Sequence, residues 1–308
     1  MPDRKADSAA SGAVAIKGKK ECFGCCSRKA PRERPWGGLE AGKAGSIGLS
    51  LFLAFLLMAA FSPLLAPFDP WLRFEPYLEP SWNHLLGTND MGHDILSELI
   101  YGSRVSLSVG FGAALMATII GTAVGLFSGY FKGTLDEILM GATDIFLMIP
   151  QIPLIIVLAA YLRPSFWLVA ILMGALWWTS TARVVRSKAL QIREMGYVRA
   201  KRSLGFSHLN IILSDILPNI SHVLMPKFML SIASAMIAEA SISFLGLGDA
   251  TMKSWGMMIN FAFSRGGFIN GYWWWYLFPG LFITLFVLSV VLIGFVLEEN
   301  DEANLRLE

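Results

Sequence analysis

Two acidic side chains, Asp144 and Glu239, are the groups within long apolar runs of this 308-residue chain that could do chemistry. An ionised carboxylate in hydrocarbon costs several kcal/mol unless it is paired or hydrated, so each must face protein or a water-filled path. One hypothesis is that one or both line a translocation path and bind a cation or the ammonium group of a solute. The structural alternative is a helix cap, or an ion pair with a basic group near the end of a span.

Histidines and cysteines give weaker indications of a metal site. His84 and His93 share one loop and could meet a nickel-like ion, although two histidines are few for such a site. The cysteines form a single cluster near the N-terminus, without a fourth ligand or a second cysteine pair: Cys22, Cys25 and Cys26. We expect reduced thiols there; lipid modification, or a metal shared with another chain, are the alternatives.

Catalytic patterns are absent from the sequence. There is no phosphate-binding loop of the GxxxxGK[ST] type, so the chain cannot bind and split ATP by that route. A membrane enzyme would need acid, base or metal-binding groups clustered on one side of the membrane, and none is evident. We therefore predict no catalytic residue and no cofactor bound by this chain itself.

The composition predicts an all-α integral membrane protein. Hydrophobic residues make up 55% of the chain and charged residues 16%, which is too apolar for one water-soluble core. A helix needs about 20 apolar residues to cross a bilayer. Six runs meet or approach that length and predict a six-helix bundle: 44–68, 105–131, 138–162, 164–182, 228–248 and 266–297.

Basic residues predict the orientation, because short loops rich in Lys and Arg stay in the cytosol. If both termini are cytosolic, the inner segments hold 20 Lys and Arg and the outer segments hold five. The predicted organisation is a disordered cytosolic tail (1–43), a first span (44–68), an extracytoplasmic loop (69–98), a core with five further spans (99–297) and a cytosolic C-terminal tail (298–308).

A basic segment at 193–218 lies between two of the apolar runs and must do something other than cross lipid. We predict a helix over 188–204 that ends at Gly205 in the left-handed conformation. Ser207 can cap a second helix that runs to Pro218. Such a knob would expose three apolar side chains beside three basic ones: Tyr197, Leu204, Phe206, Arg199, Lys201 and Arg202. It could dock into an acidic-edged groove of another protein, or merely touch lipid headgroups.

Several motifs, in order, resemble those of ABC importer permeases of the dipeptide, oligopeptide and nickel class, in particular the second permease subunit. The resemblance covers about residues 45 to 297 and rests on these stretches: Leu86-Gly-Thr, Gly92-His-Asp94, Tyr101-Gly-Ser-Arg104-Val-Ser-Leu107, Asp144-Ile-Phe-Leu-Met-Ile-Pro150, Ala238-Glu-Ala-Ser-Ile-Ser-Phe-Leu-Gly-Leu-Gly248, Trp255-Gly-Met-Met, Phe278-Pro-Gly-Leu281, and Gly205 followed by Leu217-Pro218.

The resemblance implies a type I permease bundle with a cytosolic coupling helix in a bacterial or archaeal plasma membrane. It implies a homologous second permease, two cytosolic ATPases that bind ATP and Mg²⁺, an external solute-binding protein and no nucleic acid. The coupling residues would be Tyr197, Arg199, Ala200, Lys201, Leu204, Gly205, Phe206, Leu217 and Pro218. Peptides or related solutes would be the cargo, with nickel or a metal chelate as the alternative. A self-sufficient ion-coupled carrier is the rival hypothesis.

The chain departs from the pattern of this class at two places. Arg199-Ala200-Lys201 stands where the class tends to have Glu-Ala-Ala, so a base replaces an acid. Asn89, His93 and Glu98 stand where Asp, Arg and Arg are common. These departures bear on the partner and the solute rather than on the architecture.

Overall fold

The computed structural model describes residues 41–162 and 165–304, with side chains described between 43 and 299. This part of the chain is helical and contains no strand. The cysteine cluster and most of the predicted N-terminal tail lie outside the described residues. The elements are α1 (Ala41–Ala60), α2 (Ser62–Leu65), α3 (Ile95–Phe131), α4 (Thr134–Met148), α5 (Gln151–Tyr161), α6 (Phe166–Arg193), α7 (Gly196–Ser203), α8 (His208–Ile211), a π-helical turn (Ile212–Ile216), α9 (Leu217–Phe244), α10 (Trp255–Ser264) and α11 (Trp273–Asn304).

Five helical stretches of the described chain are long and apolar enough to cross a membrane: Lys43–Ala60, Ile95–Phe131, Phe166–Arg193, His208–Phe244 and Trp273–Glu299. The pair α4 and α5 meets the same criterion when the two helices are counted together, which gives the predicted six. They are bent by 76° at their junction. Pro150 explains the bend, because the residue before a proline is pushed out of the helical region, and Ile149 is extended at ψ 126°.

Several helix ends differ from the predicted runs. α3 begins at Ile95, ten residues before the predicted 105, because the carboxylate of Asp94 caps it by accepting from the Ser97 amide at 2.9 Å. α11 begins at Trp273 after turns at Gly266 and Gly271, and it continues through Asn304, inside the predicted tail. The short helix α10 was not predicted at all.

α3 and α6 pack closely along a stripe of small residues. A Cβ atom added to Gly121 would lie 2.6 Å from the carbonyl oxygen of Trp178, and one added to Gly125 would lie 2.5 Å from that of Ala182. Gly129 meets the Arg186 backbone in the same way. Close approach at small residues is the usual basis of helix packing in membranes, where no hydrophobic effect drives helices together.

Aromatic side chains join α1, α10 and α11 into a second packing region. Trp255, at the start of α10, is fully buried, and its indole N–H donates to the Leu99 carbonyl of α3 at 3.0 Å. Its ring lies 5.8 Å from that of Phe55 and 6.3 Å from that of Phe286, centroid to centroid. This packing fixes α10 and the preceding loop against the N-terminal end of α3.

Candidate functional site

The 193–218 segment begins with a break rather than with the predicted continuous helix over 188–204. α6 ends at Arg193, Met195 is extended at ψ 145°, and α7 starts at Gly196. Glu194 at the break accepts from Lys132 Nζ and from Arg199 Nη2, both at 2.6 Å. The prediction was wrong because these ion pairs, one of them to the end of α3, stabilise a corner that helix propensity alone does not reveal.

Gly205 ends α7 as predicted. Its φ is +80°, in the left-handed region that favours glycine. The Gly205 amide donates to the carbonyl of Arg202 and the Phe206 amide donates to that of Lys201, which is the hydrogen-bond pattern of a Schellman motif. The chain therefore reverses sharply after Leu204, whose side chain is 76% exposed.

Ser207 caps the next helix as predicted, by accepting from the Asn210 amide at 3.3 Å. The helix does not end at Pro218, contrary to the prediction. A π-helical turn over Ile212–Ile216 precedes α9, and the Leu217 amide bonds back to the Ile212 carbonyl. Pro218 then occupies the first turn of α9, where its missing N–H is tolerated. α8, the π turn and α9 consequently form one continuous rod from the 193–218 segment into the bundle.

One side of α7 anchors it to that rod. Val198 is 1% exposed and belongs to a buried cluster with side chains of α3, α6, α8 and the π turn, including Tyr130, Ile192, Ile211 and Ile216. Leu217 packs partly against this cluster, whereas Pro218 and Ala200 are exposed. A force applied to α7 would thus reach α3, α6 and α9 through packed side chains.

The other side of α7 presents the predicted apolar group. Leu204, Phe206 and Tyr197 are all exposed. Two of the three basic residues beside them already have acidic partners. Arg199 pairs with Glu194, and Lys201 pairs with Asp215 at 2.7 Å. Arg202 has no acidic partner among the described residues and is the unneutralised charge of this surface.

Replacing Gly205 by alanine is expected to destabilise the 193–218 segment by about 1–2 kcal/mol, because an L-residue is strained in the left-handed region. Amide hydrogen exchange of α7 should accelerate by roughly 5–30-fold, the factor that corresponds to this energy. Gly196→Ala is the matched control, since Gly196 begins the same helix with ordinary φ and open space around its Cβ position. Equal acceleration in both variants would contradict the assignment of strain to Gly205.

Asp144 lies where the structural alternative places it. Its carboxylate accepts from Arg183 at 2.6 Å, and both side chains are more than half exposed. The pair joins α4 to α6 just before the bend at Pro150. Ion pairing with a neighbouring helix accounts for this acid without a bound solute.

Glu239 lies inside the bundle, 3% exposed, between α3, α6 and α9. One carboxylate oxygen accepts from the Ser243 hydroxyl at 2.8 Å. The other oxygen is buried and accepts no hydrogen bond of ordinary geometry among the described residues, although the hydroxyls of Ser106 and Ser254 lie close to the carboxyl group. The carboxylate faces a small internal cavity rather than an uncovered face of the bundle.

The two loop histidines have separate partners rather than a common ligand. His84 Nδ1 lies 3.0 Å from Asp94 Oδ1, and His93 Nδ1 lies 3.2 Å from Glu98 Oε1. No group of three or more metal-binding side chains occurs in the part of the chain that the structure describes. Both histidines act as buried polar contacts that hold the 69–94 loop on α3.

Three residues that depart from the pattern of the class meet in one buried cluster: Asn89 and His93 of the 69–94 loop and Glu98 of α3. Asn89 Nδ2 donates to Glu98 Oε1 at 3.1 Å. Lys253, from the loop before α10, donates to the same oxygen at 2.5 Å and lies 3.1 Å from His93 Nδ1. Sequence reasoning named three members but missed Lys253, because it is about 155 residues away along the chain.

The amino-acid sequence is similar to those of known membrane transport proteins. Residues 121–304 match the family described as "Binding-protein-dependent transport system inner membrane component". The dipeptide transport system permease protein DppC of Bacillus subtilis is 32% identical over 88% of this chain and 85% of its own length. DppC of Alkalihalophilus pseudofirmus is 36% identical over 83% and 84%. The oligopeptide transport system permease protein OppC of B. subtilis is 30% identical over 87% and 88%.

Proposed function

The chain belongs to the family of binding-protein-dependent inner-membrane transport components, and we propose that it is the permease subunit through which an ABC importer moves peptides or related small solutes. It is a transport subunit rather than an enzyme. In this proposal two separate cytosolic ATPases bind ATP and Mg²⁺, a homologous permease completes the path, and an external solute-binding protein delivers the cargo.

The observation that carries the proposal is the construction of the 193–218 segment. An exposed leucine is held on a sharp glycine turn, while the opposite side of the same short helix is anchored in the core through Val198. An exposed apolar group on a rigid support is typical of a docking surface. A loop that only touched headgroups would need neither the turn nor the buried anchor.

The charges of this segment indicate what its partner looks like. Arg199 and Lys201 are held by Glu194 and Asp215, so they shape the segment more than they attract a partner. Arg202 remains for an acidic side chain at the rim of the ATPase groove, and Leu204 and Phe206 supply the apolar contact. An apolar centre with a charged rim is the usual composition of a protein interface.

The mechanism we propose is alternating access. ATP binding closes the two ATPases and carries α7 with them, and the continuous rod of α8, the π turn and α9 transmits that movement into the bundle. A partner that favours the inward-open or the outward-open state must make different contacts in the two states, because a ligand shifts an equilibrium only by its differential affinity for them. The solute-binding protein supplies these contacts on the side of the 69–94 loop, which the distribution of basic residues assigns to the exterior with both termini in the cytosol.

A photo-crosslinking amino acid at position 204 tests the docking directly. With the ATPases co-expressed, we expect an adduct between this chain and an ATPase. The same amino acid at Leu72, an exposed leucine of the 69–94 loop, should give no such adduct. Adducts to lipid alone at position 204 would overturn the docking role and favour the headgroup alternative.

Glu194→Gln is expected to lower the rate of binding-protein-stimulated ATP hydrolysis at most about fivefold, because the ion pairs of Glu194 are exposed. Hydrogen bonds from Lys132 and then Arg199 lower the pKa of Glu194 to about 2. Because that pKa is depressed, Glu194 stabilises the folded segment fully above the ordinary carboxyl pKa of about 4.3. This stabilisation is lost only as the pH falls towards 2. The ratio of wild-type to variant rates should therefore stay constant between about pH 8 and pH 5. A ratio that approaches one by about pH 5 would contradict this role.

The cargo is the finer part of the proposal. The relatives named for dipeptides and oligopeptides favour peptides, and nickel or a metal chelate is the alternative. Purifying the importer with its solute-binding protein and identifying by mass spectrometry what occupies the pocket distinguishes them. Peptides are expected; a metal chelate would overturn the peptide assignment while leaving the permease assignment intact.

Asp144, already paired with Arg183, is proposed to stabilise the bend between α4 and α5 rather than to contact cargo.

A further inference from the structure

The small cavity beside Glu239 is lined by helices of this chain and by the loop before α10. Apolar side chains of α3 and α6 form one wall, and oxygen-bearing side chains of α9 and of the loop before α10 form the other: Val105, Val109, Phe166, Val169, Glu239, Ser243, Asp249 and Ser254. The volume that the centre of a water-sized sphere can occupy in the cavity is about 10 Å³. That is close to the minimum for one buried water molecule, so the cavity has room for a single small occupant.

Such an occupant would stabilise the buried carboxylate. Glu239 Oε1 accepts from Ser243. The hydroxyls of Ser254 and Ser106 also lie close to the carboxyl group, but neither makes a hydrogen bond of ordinary geometry to Oε2, which is buried. No lysine or arginine lines the cavity. An ionised carboxylate without a counter-charge in a buried site costs several kcal/mol, and a buried polar atom without a partner indicates an ion or a water that satisfies it.

The chemistry of the lining selects the kind of ion. Its polar side chains offer oxygen atoms, from two serine hydroxyls and two carboxylates, which favours a hard cation over a soft transition metal. Glu239 is the fully buried carboxylate; Asp249, at the edge, also accepts from the amide and hydroxyl of Thr251. Calcium prefers six to eight oxygen ligands, and magnesium keeps several waters, for which this space is too small.

We propose that the cavity binds one resident monovalent cation of the size of Na⁺, held by the carboxylate of Glu239 and the hydroxyls of Ser243 and Ser254. The ion joins α9 to the N-terminus of α10, because Ser254 also caps α10 by accepting from the Met257 amide at 3.3 Å. It is a structural ion rather than cargo, since the site is buried within one subunit. The inference depends neither on the cargo nor on docking of the ATPases.

Equilibrium binding of ²²Na⁺ to the full-length chain, in the complex in which it is purified and with choline chloride maintaining ionic strength, tests the site. Wild type is expected to bind one more Na⁺ per copy of this chain than Glu239→Gln, which keeps the shape of the side chain and removes its charge. Asp144→Asn is the matched control: it removes a carboxylate that has an arginine partner, and it should retain the wild-type stoichiometry.

Equal Na⁺ binding by wild type and Glu239→Gln would overturn the proposal, because the bound Na⁺ would then not depend on the Glu239 carboxylate. Absence of Na⁺ binding by wild type would overturn it without any variant. If Glu239→Gln fails to assemble, Ser243→Ala replaces it: a weakened Na⁺ affinity supports the site, and an unchanged affinity rejects it.

Discussion

Leu204→Asp is expected to leave the chain inserted in the membrane but to reduce binding-protein-stimulated ATP hydrolysis by about 100-fold or more. Burying a leucine at an interface is worth about 1.5–3 kcal/mol, and an aspartate in its place would add the cost of desolvating a charge. A loss of about 2.7 kcal/mol corresponds to a factor of 100 in affinity. Because Leu204 is 76% exposed in this chain, its replacement removes little packing within the chain itself.

The measurement is co-purification of the ATPases with the permease, followed by the stimulated hydrolysis rate. Leu72→Asp makes the same chemical change at an exposed leucine of the 69–94 loop, and it should leave co-purification of the ATPases unchanged. Wild-type co-purification and a wild-type hydrolysis rate in Leu204→Asp would show that the ATPases do not bind the apolar surface of the 193–218 segment.

Lys253→Met is expected to destabilise the protein by about 3–5 kcal/mol, the usual effect of removing one partner of a buried ion pair. Glu98 is 3% exposed and Lys253 is 15% exposed, and their charged atoms lie 2.5 Å apart. Without the lysine, Glu98 would retain Asn89 and His93 but lose its ion pair with Lys253. The double variant Lys253→Met/Glu98→Gln should recover most of the loss, because it removes the uncompensated charge.

Thermal denaturation of the purified protein, monitored for the single and double variants, measures this effect. Lys132→Met is the matched control, since Lys132 also pairs with a glutamate but both side chains are about 40% exposed. An exposed pair contributes about 0–1 kcal/mol, so this variant should stay close to wild type. Equal losses in the two lysine variants would contradict the role of burial in the Glu98–Lys253 pair.

Features that depend on a few neighbouring residues were predicted from the sequence. Gly205 ends α7 and Ser207 caps α8 because the left-handed turn and the cap are local properties of those residues. The apolar runs predicted six spans, of which the bent pair α4 and α5 counts as one. The family resemblance rested on motifs in the same order, and comparison with known permeases confirmed it.

Features that depend on distant residues were missed. Glu194 at the break between α6 and α7 pairs with the distant Lys132, and Pro218 is accommodated by a π turn packed against α3 and α6. The sequence did not indicate that the three residues that depart from the pattern of the class contact one another. In the structure they meet around Lys253: Asn89, His93 and Glu98. α10 is a helix of ten residues whose position depends on Trp255 packing against α3, which no local pattern reveals.

Solute uptake into proteoliposomes tests the central claim, that separate ATPases drive this permease through the 193–218 segment. With the second permease, the ATPases and the solute-binding protein present, uptake is expected to require ATP and to disappear in Leu204→Asp. The chain reconstituted alone should move no solute, with or without an ion gradient. Uptake by the chain alone, driven by an ion gradient, would contradict the account and identify an ion-coupled carrier instead.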